Sequence, residues 1–338
     1  MAFKRLDPED ISISAESIVA PLWSTDVKVL ETFFTSSGQV ASNTGNYFYD
    51  VYENEPSNVA ASSVQFALAY GNKNGDGGAP YNAGVPTKTP TSTIYGQYRS
   101  LIFGDEEADF VFGTYESENI YAINYDRARY KEKLFPGSFN LKLTNGAEVL
   151  HLTDNSKDVT TISYVDAGRV YDIVTGSNGT PVSGIGSGSG FTETKGSYGK
   201  FLPDIGVVIL NADALDLTGS LGGITLGTNA TLDPTNTSKL FSAIYTGASA
   251  SLQSEETISS NYVFVRVRNS EFNYSTNPSN ITSSGELRWD VMINSPQAYI
   301  TTVGMYNDSN DLLAVAKLSR PLLKDFTKEA LVRIKLDY

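Results

Sequence analysis

No cysteine occurs anywhere in the 338 residues. That excludes a disulfide-held scaffold, a thiol nucleophile, a cysteine-ligated zinc and an iron–sulfur cluster. Histidine is almost as scarce. His151 stands alone, so a multi-histidine metal site is excluded and at most one imidazole is open to acid–base chemistry. Charged residues make up only 19%, and they lean acidic, 38 Asp and Glu against 25 Lys and Arg, for a net charge of −13. A surface that negative repels phosphate backbones, so no nucleic-acid partner is expected. Long hydrophobic runs are missing too. The longest, such as Gly206-Val-Val-Ile-Leu210, have strand length, far short of the roughly 20 residues that span a bilayer, so no membrane insertion is expected. The first ten residues, Met1 to Asp10, contain no apolar h-region. The expectation is a protein kept inside a cell, or released from it by assembly or lysis.

What is abundant is Tyr, Ser, Thr, Asn and Gly, with 20 Tyr and 29 Gly. Short alternating segments are separated by Gly, Asn, Asp and Pro clusters, the pattern of an antiparallel β protein. Strands are expected at Gln65–Tyr70, Asn119–Asn124, Ser138–Leu143, Arg169–Val174 and Gly206–Leu210. The cleanest is Tyr262–Arg268. There Val263, Val265 and Val267 form an aliphatic face, and Tyr262, Phe264, Arg266 and Arg268 form an aromatic and basic one. At the chain end Val332, Ile334 and Leu336 alternate with Arg333, Lys335 and Asp337. Helical signals are few. Thr91–Phe103 places Ile94, Tyr98, Leu101 and Ile102 at helical spacing, with Thr91 or Ser92 as a cap and Gly104 as a stop. Lys239–Tyr245 reads as a short helix, and Ser24–Phe34 is ambiguous.

The expected fold is therefore mainly β, one or more antiparallel β-sandwich or barrel-like domains with long loops and few short helices. Residues 1–118 read as an N-terminal arm and β-rich region, either a domain of its own or continuous with the rest, and residues 119–338 as the main antiparallel β domain. Insertions fall near 177–199 and 215–234, and the chain closes with a C-terminal hairpin. The long irregular stretches, from Gly71 to Pro90 and from Ser177 to Gly199, suit arms that touch partners better than free linkers.

The chemical motifs are weak. His151 lies in the strand-like Val149–Thr153 with Asp154 and Asp158 nearby, but no Gly-x-Ser-x-Gly elbow occurs. The acidic clusters Asp105–Glu107, Glu116 with Glu118, and Glu255-Glu256 read as solvated turns and faces. Only a pair converging in a groove would serve glycan hydrolysis. Asn72–Gly77 lacks the alternating acidic ligands and the terminal glutamate of a calcium loop. Gly184–Gly190 lacks the Lys-Ser/Thr ending of a phosphate loop. No catalytic residue, metal ligand or cofactor is assigned. Two patches stand out as candidate interfaces. One is the basic run Arg127, Arg129, Lys131 and Lys133, and the other is the Tyr262, Phe264, Arg266, Arg268 face. The 177–199 loop is a third contact region.

The last third carries a resemblance. Tyr299 to Leu318 reads as a hairpin, with strands Ile300–Tyr306 and Leu312–Leu318 around the turn Asn307–Asp311. Pro321 is expected to end the pairing before a final strand at Leu331–Leu336. This hairpin resembles a segment that recurs in tail-fibre and baseplate proteins of tailed phages. Further stretches, Asn124–Gly137, Asp166–Tyr171, Pro203–Asn211 and Phe264–Pro278, are similar to structural proteins of T4-like marine cyanophages. They are scattered over Asn119–Tyr338. The resemblance implies a non-enzymatic virion component of a contractile tail or baseplate, assembled in the host cytoplasm with other tail proteins and forming a homo-oligomer in a symmetric assembly. It supplies no catalytic residues.

Zero cysteine fits assembly in a reducing cytoplasm. The alternative is a carbohydrate-binding receptor-recognition protein, for which Trp23 and Trp289 could stack on sugar faces. Core packing is the expected role of both.

Overall fold

A computed structural model of the chain describes residues 6, 8–22, 27–28, 34–35, 38–42, 45–85, 89–182, 190–228, 231–232 and 234–337. Strand covers 43% of the chain and helix 14%, so the protein is mainly β, as its alternation implies. The strands begin with β1 (Ile11–Pro21), β2 (Val27–Lys28), β3 (Phe34–Thr35), β4 (Phe48–Tyr52) and β5 (Val64–Asn72), followed by helix α1 (Thr91–Phe103). Next come β6 (Phe110–Phe112), β7 (Tyr115–Ser117), β8 (Asn119–Tyr125), β9 (Lys133–Leu134), β10 (Asn140–Asn145), β11 (Glu148–Asp154), β12 (Ser163–Val165), β13 (Gly168–Ser177) and β14 (Thr180–Pro181). Then follow β15 (Gly199–Leu202), β16 (Val207–Asn211), α2 (Ala212–Leu215), α3 (Asn236–Gly247) and β17 (Ala250–Ser251). The chain closes with β18 (Gln253–Val267), α4 (Asp290–Asn294), β19 (Gln297–Tyr306), β20 (Leu312–Asp325) and β21 (Ala330–Asp337).

Compactness divides the chain into a mid-chain unit, Ile18–Glu256, and a terminal unit made of Met1–Ser17 with Thr257–Tyr338. The 118/119 position falls inside the mid-chain unit. There β8 pairs with β5 from Phe66↔Tyr125 to Asn72↔Asn119.

The mid-chain unit is built on one antiparallel sheet of 13 strands, ordered β2-β17-β10-β11-β13-β15-β16-β8-β5-β4-β3, with β12 and β14 on β13. The antiparallel sheets include a curled half-barrel of 9 strands. The centre of the mid-chain sheet explains the unbroken apolar run at 207–210. Both faces of β16 are buried, so alternation disappears from the sequence. Val208 and Leu210 point to one core with Tyr121, Ile123, Phe201 and the α3 residues Leu240 and Ile244. Val207 and Ile209 point to a second core with Ile120, Ala122, Leu202 and the α1 residues Tyr95 and Ile102. The tight β15–β16 turn depends on Gly206. Its φ is +71°, and a Cβ there would run into the Tyr130 hydroxyl.

In the terminal unit β1, β18 and β21 form a sheet, and β19–β20 form a long hairpin. The β18–β21 register runs from Ser260↔Asp337 to Val267↔Ala330. Val263, Val332 and Ile334 are buried on the aliphatic face, with Val303, Met305, Ala316 and Leu318 of the hairpin packed on them.

Several expectations are refined. β18 begins nine residues before Tyr262, at Gln253. The α1 span and its Gly104 stop stand as expected, with φ 65° at Gly104 and its N–H donated to Ser100 O. The cap is different. Pro90 is the N-cap residue, with no side-chain cap bond, and Thr91 Oγ1 instead donates to Asp76 O at 2.9 Å. Pro321 does not end the hairpin, because β20 continues to Asp325. The register jumps from Ile300↔Leu322 to Thr302↔Lys317, so the proline, which has no N–H to give, sits in the irregularity. Ser24–Phe34 lies partly outside the described residues, and its described parts hold the short strands β2 and β3.

Candidate interaction surfaces

The second expected patch is one face of one sheet. Tyr262 lies opposite Lys335, Phe264 opposite Arg333 and Arg266 opposite Leu331. Tyr262 and Phe264 are half-buried, and Arg266 and Arg268 are exposed. Arg333 and Lys335 approach the Tyr262 ring at 5.5 and 5.8 Å. Glu16 of β1 closes the cluster, accepting from the Tyr262 hydroxyl at 3.2 Å and from Lys335 Nζ at 3.1 Å. The bond from Lys335 holds the Glu16 carboxyl below the usual range. Arg266 pairs with Glu329 at 2.6 Å. The Arg268 guanidinium makes no hydrogen bond or ion pair with the described residues.

The same unit exposes apolar side chains that its own core leaves uncovered. On the hairpin Tyr299, opposite Leu323, is 64% exposed, and nearer the turn Leu313 is 65% exposed with Val315 exposed two residues on. Around α4, Trp289 is 59% and Val291 76% exposed. The expectation of a buried Trp289 is therefore corrected: α4 is a single short turn with no buried residue, too small to cover an indole. Trp23 lies outside the described residues. Between the hairpin and the β18–β21 sheet remains a cleft of about 680 Å³, lined by Val263, Val265, Ile300 and Met305 among others. Along β1 ten of the eleven residues are exposed, and the strand stands at the sheet edge. Its Ile13 is 73% exposed, and it carries no lysine and no proline before Pro21.

The first expected patch, in the mid-chain unit, is engaged within the chain. Arg127 donates to Tyr130 O and stacks over the Tyr130 ring at 4.7 Å. Arg129 donates to Val64 O at 3.0 Å and to Ser63 Oγ. Lys131 pairs with Glu256 at 2.7 Å, and Lys133 lies 3.8 Å from Glu255. Sequence reading missed the neighbouring pair. Arg169 grips Asp204 with its guanidinium at 2.7 and 3.0 Å and its backbone N–H at 2.7 Å, and it also faces Glu255 at 3.7 Å. Burial pushes the Asp204 carboxyl up, but Arg169 outweighs it and holds the group below the usual value. The fold brings Arg169 and Asp204 together beside the 124–137 run, a meeting of segments that no local pattern announces. Tyr125 N–H bonds Gly206 O at 3.0 Å, and Leu134 N–H bonds Pro203 O at 2.9 Å.

The polar clusters serve the fold. Asp213 accepts from Ser117 Oγ at 2.7 Å, Asn119 Nδ2 at 3.0 Å and the Tyr115 hydroxyl at 3.1 Å. Tyr115 in turn accepts from Lys195 at 2.9 Å. The network ties β7 and β8 to α2. In the 72–77 loop, Asn72 Oδ1 accepts from the backbone of Asn74 and Asp76 at 2.8 and 2.9 Å, so that oxygen shapes the turn. Among the described residues no group of three acidic or histidine side chains is placed to hold a metal ion. His151 is exposed on β11 opposite Lys142. Asp154 is buried and turned away, accepting from Gly137 N at 2.7 Å, and burial raises its carboxyl above the usual value. Residues 183–189 of the 177–199 loop lie outside the described residues. Gly190, at their C-terminal flank, is tied to the sheet through its carbonyl, which accepts from Thr175 N at 2.9 Å.

Comparison with protein families, curated proteins and solved structures returns no match.

Proposed function

We propose that the chain is a non-enzymatic structural protein of a phage virion, seated in a contractile tail or baseplate and packing strand faces and loops against its neighbours. The observation that carries this reading is the uncovered apolar surface of the terminal unit: Tyr299, Leu313 and Val315 on the hairpin with Trp289 and Val291 beside α4. Apolar side chains gathered on one compact unit favour burial in a contact. The long exposed edge of β1 adds to it, since such edges template pairing with another chain unless charge or proline blunts them. The phage-like segments supply the kind of assembly. The partners would be other tail or baseplate proteins and further copies of this chain, and the location the virion.

The test is sedimentation of the purified chain alone and with contractile tails assembled in a lysate. Self-association and co-sedimentation with tails are expected. A chain that stays monomeric at every concentration and ignores the tails ends the reading. Arg268→Ala, which removes from the Tyr262 face an exposed guanidinium that bonds no described residue, should reduce incorporation into particles while the subunit stays folded. Unchanged incorporation would remove that patch from the interface.

One observation favours the second reading, a carbohydrate-binding receptor-recognition protein. Trp289 presents its ring to solvent, and an indole face can stack on a sugar. A glycan array read with the parent chain and with Trp289→Ala separates the two.

A further inference from the structure

In the mid-chain unit, α1 lies beside β4, β5 and β8 and leaves a cleft of about 440 Å³, within the roughly 300–1,000 Å³ typical of small-molecule sites. Its apolar lining includes Tyr47, Phe48, Ile94 and the Tyr98 ring. Its polar lining includes the carboxamides of Gln97, from α1, and Asn124, from β8. Both carboxamides are exposed at the mouth of the cleft, as is Phe48, and neither carboxamide makes a hydrogen bond to any described residue, so water is what a ligand would replace there. The Tyr98 hydroxyl is also without a protein partner, and burial alone pushes its pKa up. No lining residue carries a charge.

Each feature narrows the ligand. A phosphate or carboxylate would meet no cation here, and an ammonium no carboxylate. A purely apolar ligand would strip water from three polar groups without replacing their bonds, at about 1–3 kcal/mol for each buried one. A neutral sugar ring meets all the conditions. Its C–H faces suit aromatic walls, and its adjacent hydroxyls both donate and accept, as a carboxamide does. The frame is fixed in advance. Thr91 Oγ1 ties the start of α1 to Asp76 O at 2.9 Å, Gly104 closes its end on Ser100 O at 3.0 Å, and β5 and β8 pair along their length. Little ordering cost therefore falls on binding.

We propose that this cleft binds a neutral hexopyranose, its ring against Tyr98 and Phe48 and its hydroxyls on Gln97 and Asn124. The proposal uses neither Trp289 nor the terminal unit, so it and the assembly reading fail separately.

The experiment takes the full chain and titrates glucose, galactose, mannose and N-acetylglucosamine by saturation-transfer NMR and calorimetry. Glucuronate and glucosamine serve as charged counterparts. At least one neutral sugar should bind, with the charged analogues weaker. Gln97→Ala and Asn124→Ala should each weaken binding about tenfold, as expected when a hydrogen-bond partner is left desolvated. Hydrogen exchange of the parent chain with saturating sugar should show slowing at 47–48 and 93–98, a readout that needs no variant to fold. No binding by any neutral sugar overturns the proposal. So does equal binding of the charged analogues, or protection that falls elsewhere.

Discussion

The two units solve the same packing problem differently. In the mid-chain unit the central strands are covered on both faces, and β16 is buried at every residue. Its cores are rich in tyrosines whose hydroxyls find partners, as Tyr70 does on Asn119 at 2.8 Å and Tyr198 on Gly222 O at 2.5 Å. In the terminal unit the aliphatic face of β18 and β21 is covered by one hairpin, and that hairpin turns Tyr299, Leu313 and Val315 outward. Similar strand chemistry gives a closed body in one case and an open one in the other. The lesson is that alternation in a sequence specifies a face, while what covers that face can lie outside the chain.

The comparison can be broken most sharply in the mid-chain core. Ile209→Ala should cost about 2–5 kcal/mol, the usual range for a large-to-small change at a fully buried site, read as a lower urea midpoint. If the loss were much smaller, the two-sided burial of β16 would not be the source of stability.

A smaller effect is expected at Lys324, which is buried in the terminal unit. Its ammonium donates to Asn273 Oδ1 at 2.6 Å, Asp325 O at 2.8 Å and Asn269 O at 3.1 Å. Lys324→Met should cost about 3 kcal/mol, since it removes charged hydrogen bonds and leaves buried oxygens unpaired. Hydrogen exchange should quicken across residues 257–337 and stay slow in β8 and β16. Uniform quickening would mean that the units unfold as one.

Third in size is a pH effect of opposite sign at two carboxylates. Asp204 is held below its ordinary value, so its contribution is full above that value and fades as pH falls through the folded value. Asp154 is raised by burial, so its contribution is full below the ordinary value and is lost as pH rises through the folded one. Asp154→Asn should therefore unfold at higher urea than the parent at neutral pH, with the gap closing in acid. A gap that widened in acid would reverse the assignment.

Smallest in stability, though not in assembly, is Ile13→Lys on β1. A lysine on an exposed edge blocks strand addition and should leave the melting temperature nearly unchanged. Self-association seen by sedimentation should fall. If association persists, β1 is not its seat.

Much of the fold was legible. The strands at Gln65–Tyr70, Asn119–Asn124 and Arg169–Val174 lie within β5, β8 and β13. Strands β5 and β8 are buried on both faces, but large apolar or aromatic side chains still alternate there with small or polar ones, and the two-residue period survives. The span of α1 and its glycine stop were equally readable. The misses have physical causes. Pro321 reads as a terminator because proline removes a donor, but a register jump leaves it out of the ladder. Trp289 reads as core because indoles are usually buried, and sequence does not reveal that α4 is too short to cover it. The four side chains of Tyr262, Phe264, Arg266 and Arg268 were legible as one face by alternation alone. The Arg169–Asp204 grip was not, since the partners stand 35 residues apart and meet only through the β13–β15–β16 register.

One feature of chain order bears on biosynthesis. The terminal unit is made from residues 1–17 and 257–338, so the ribosome releases β1 long before β18 exists to pair with it. The mid-chain unit has all its residues in hand first and can fold while synthesis continues. The terminal unit is finished last, and a chain that stops within the mid-chain unit never completes the surface proposed to bind neighbours. Folding thereby reports on synthesis: only a chain extended through β21 can carry the surface proposed to bind neighbours.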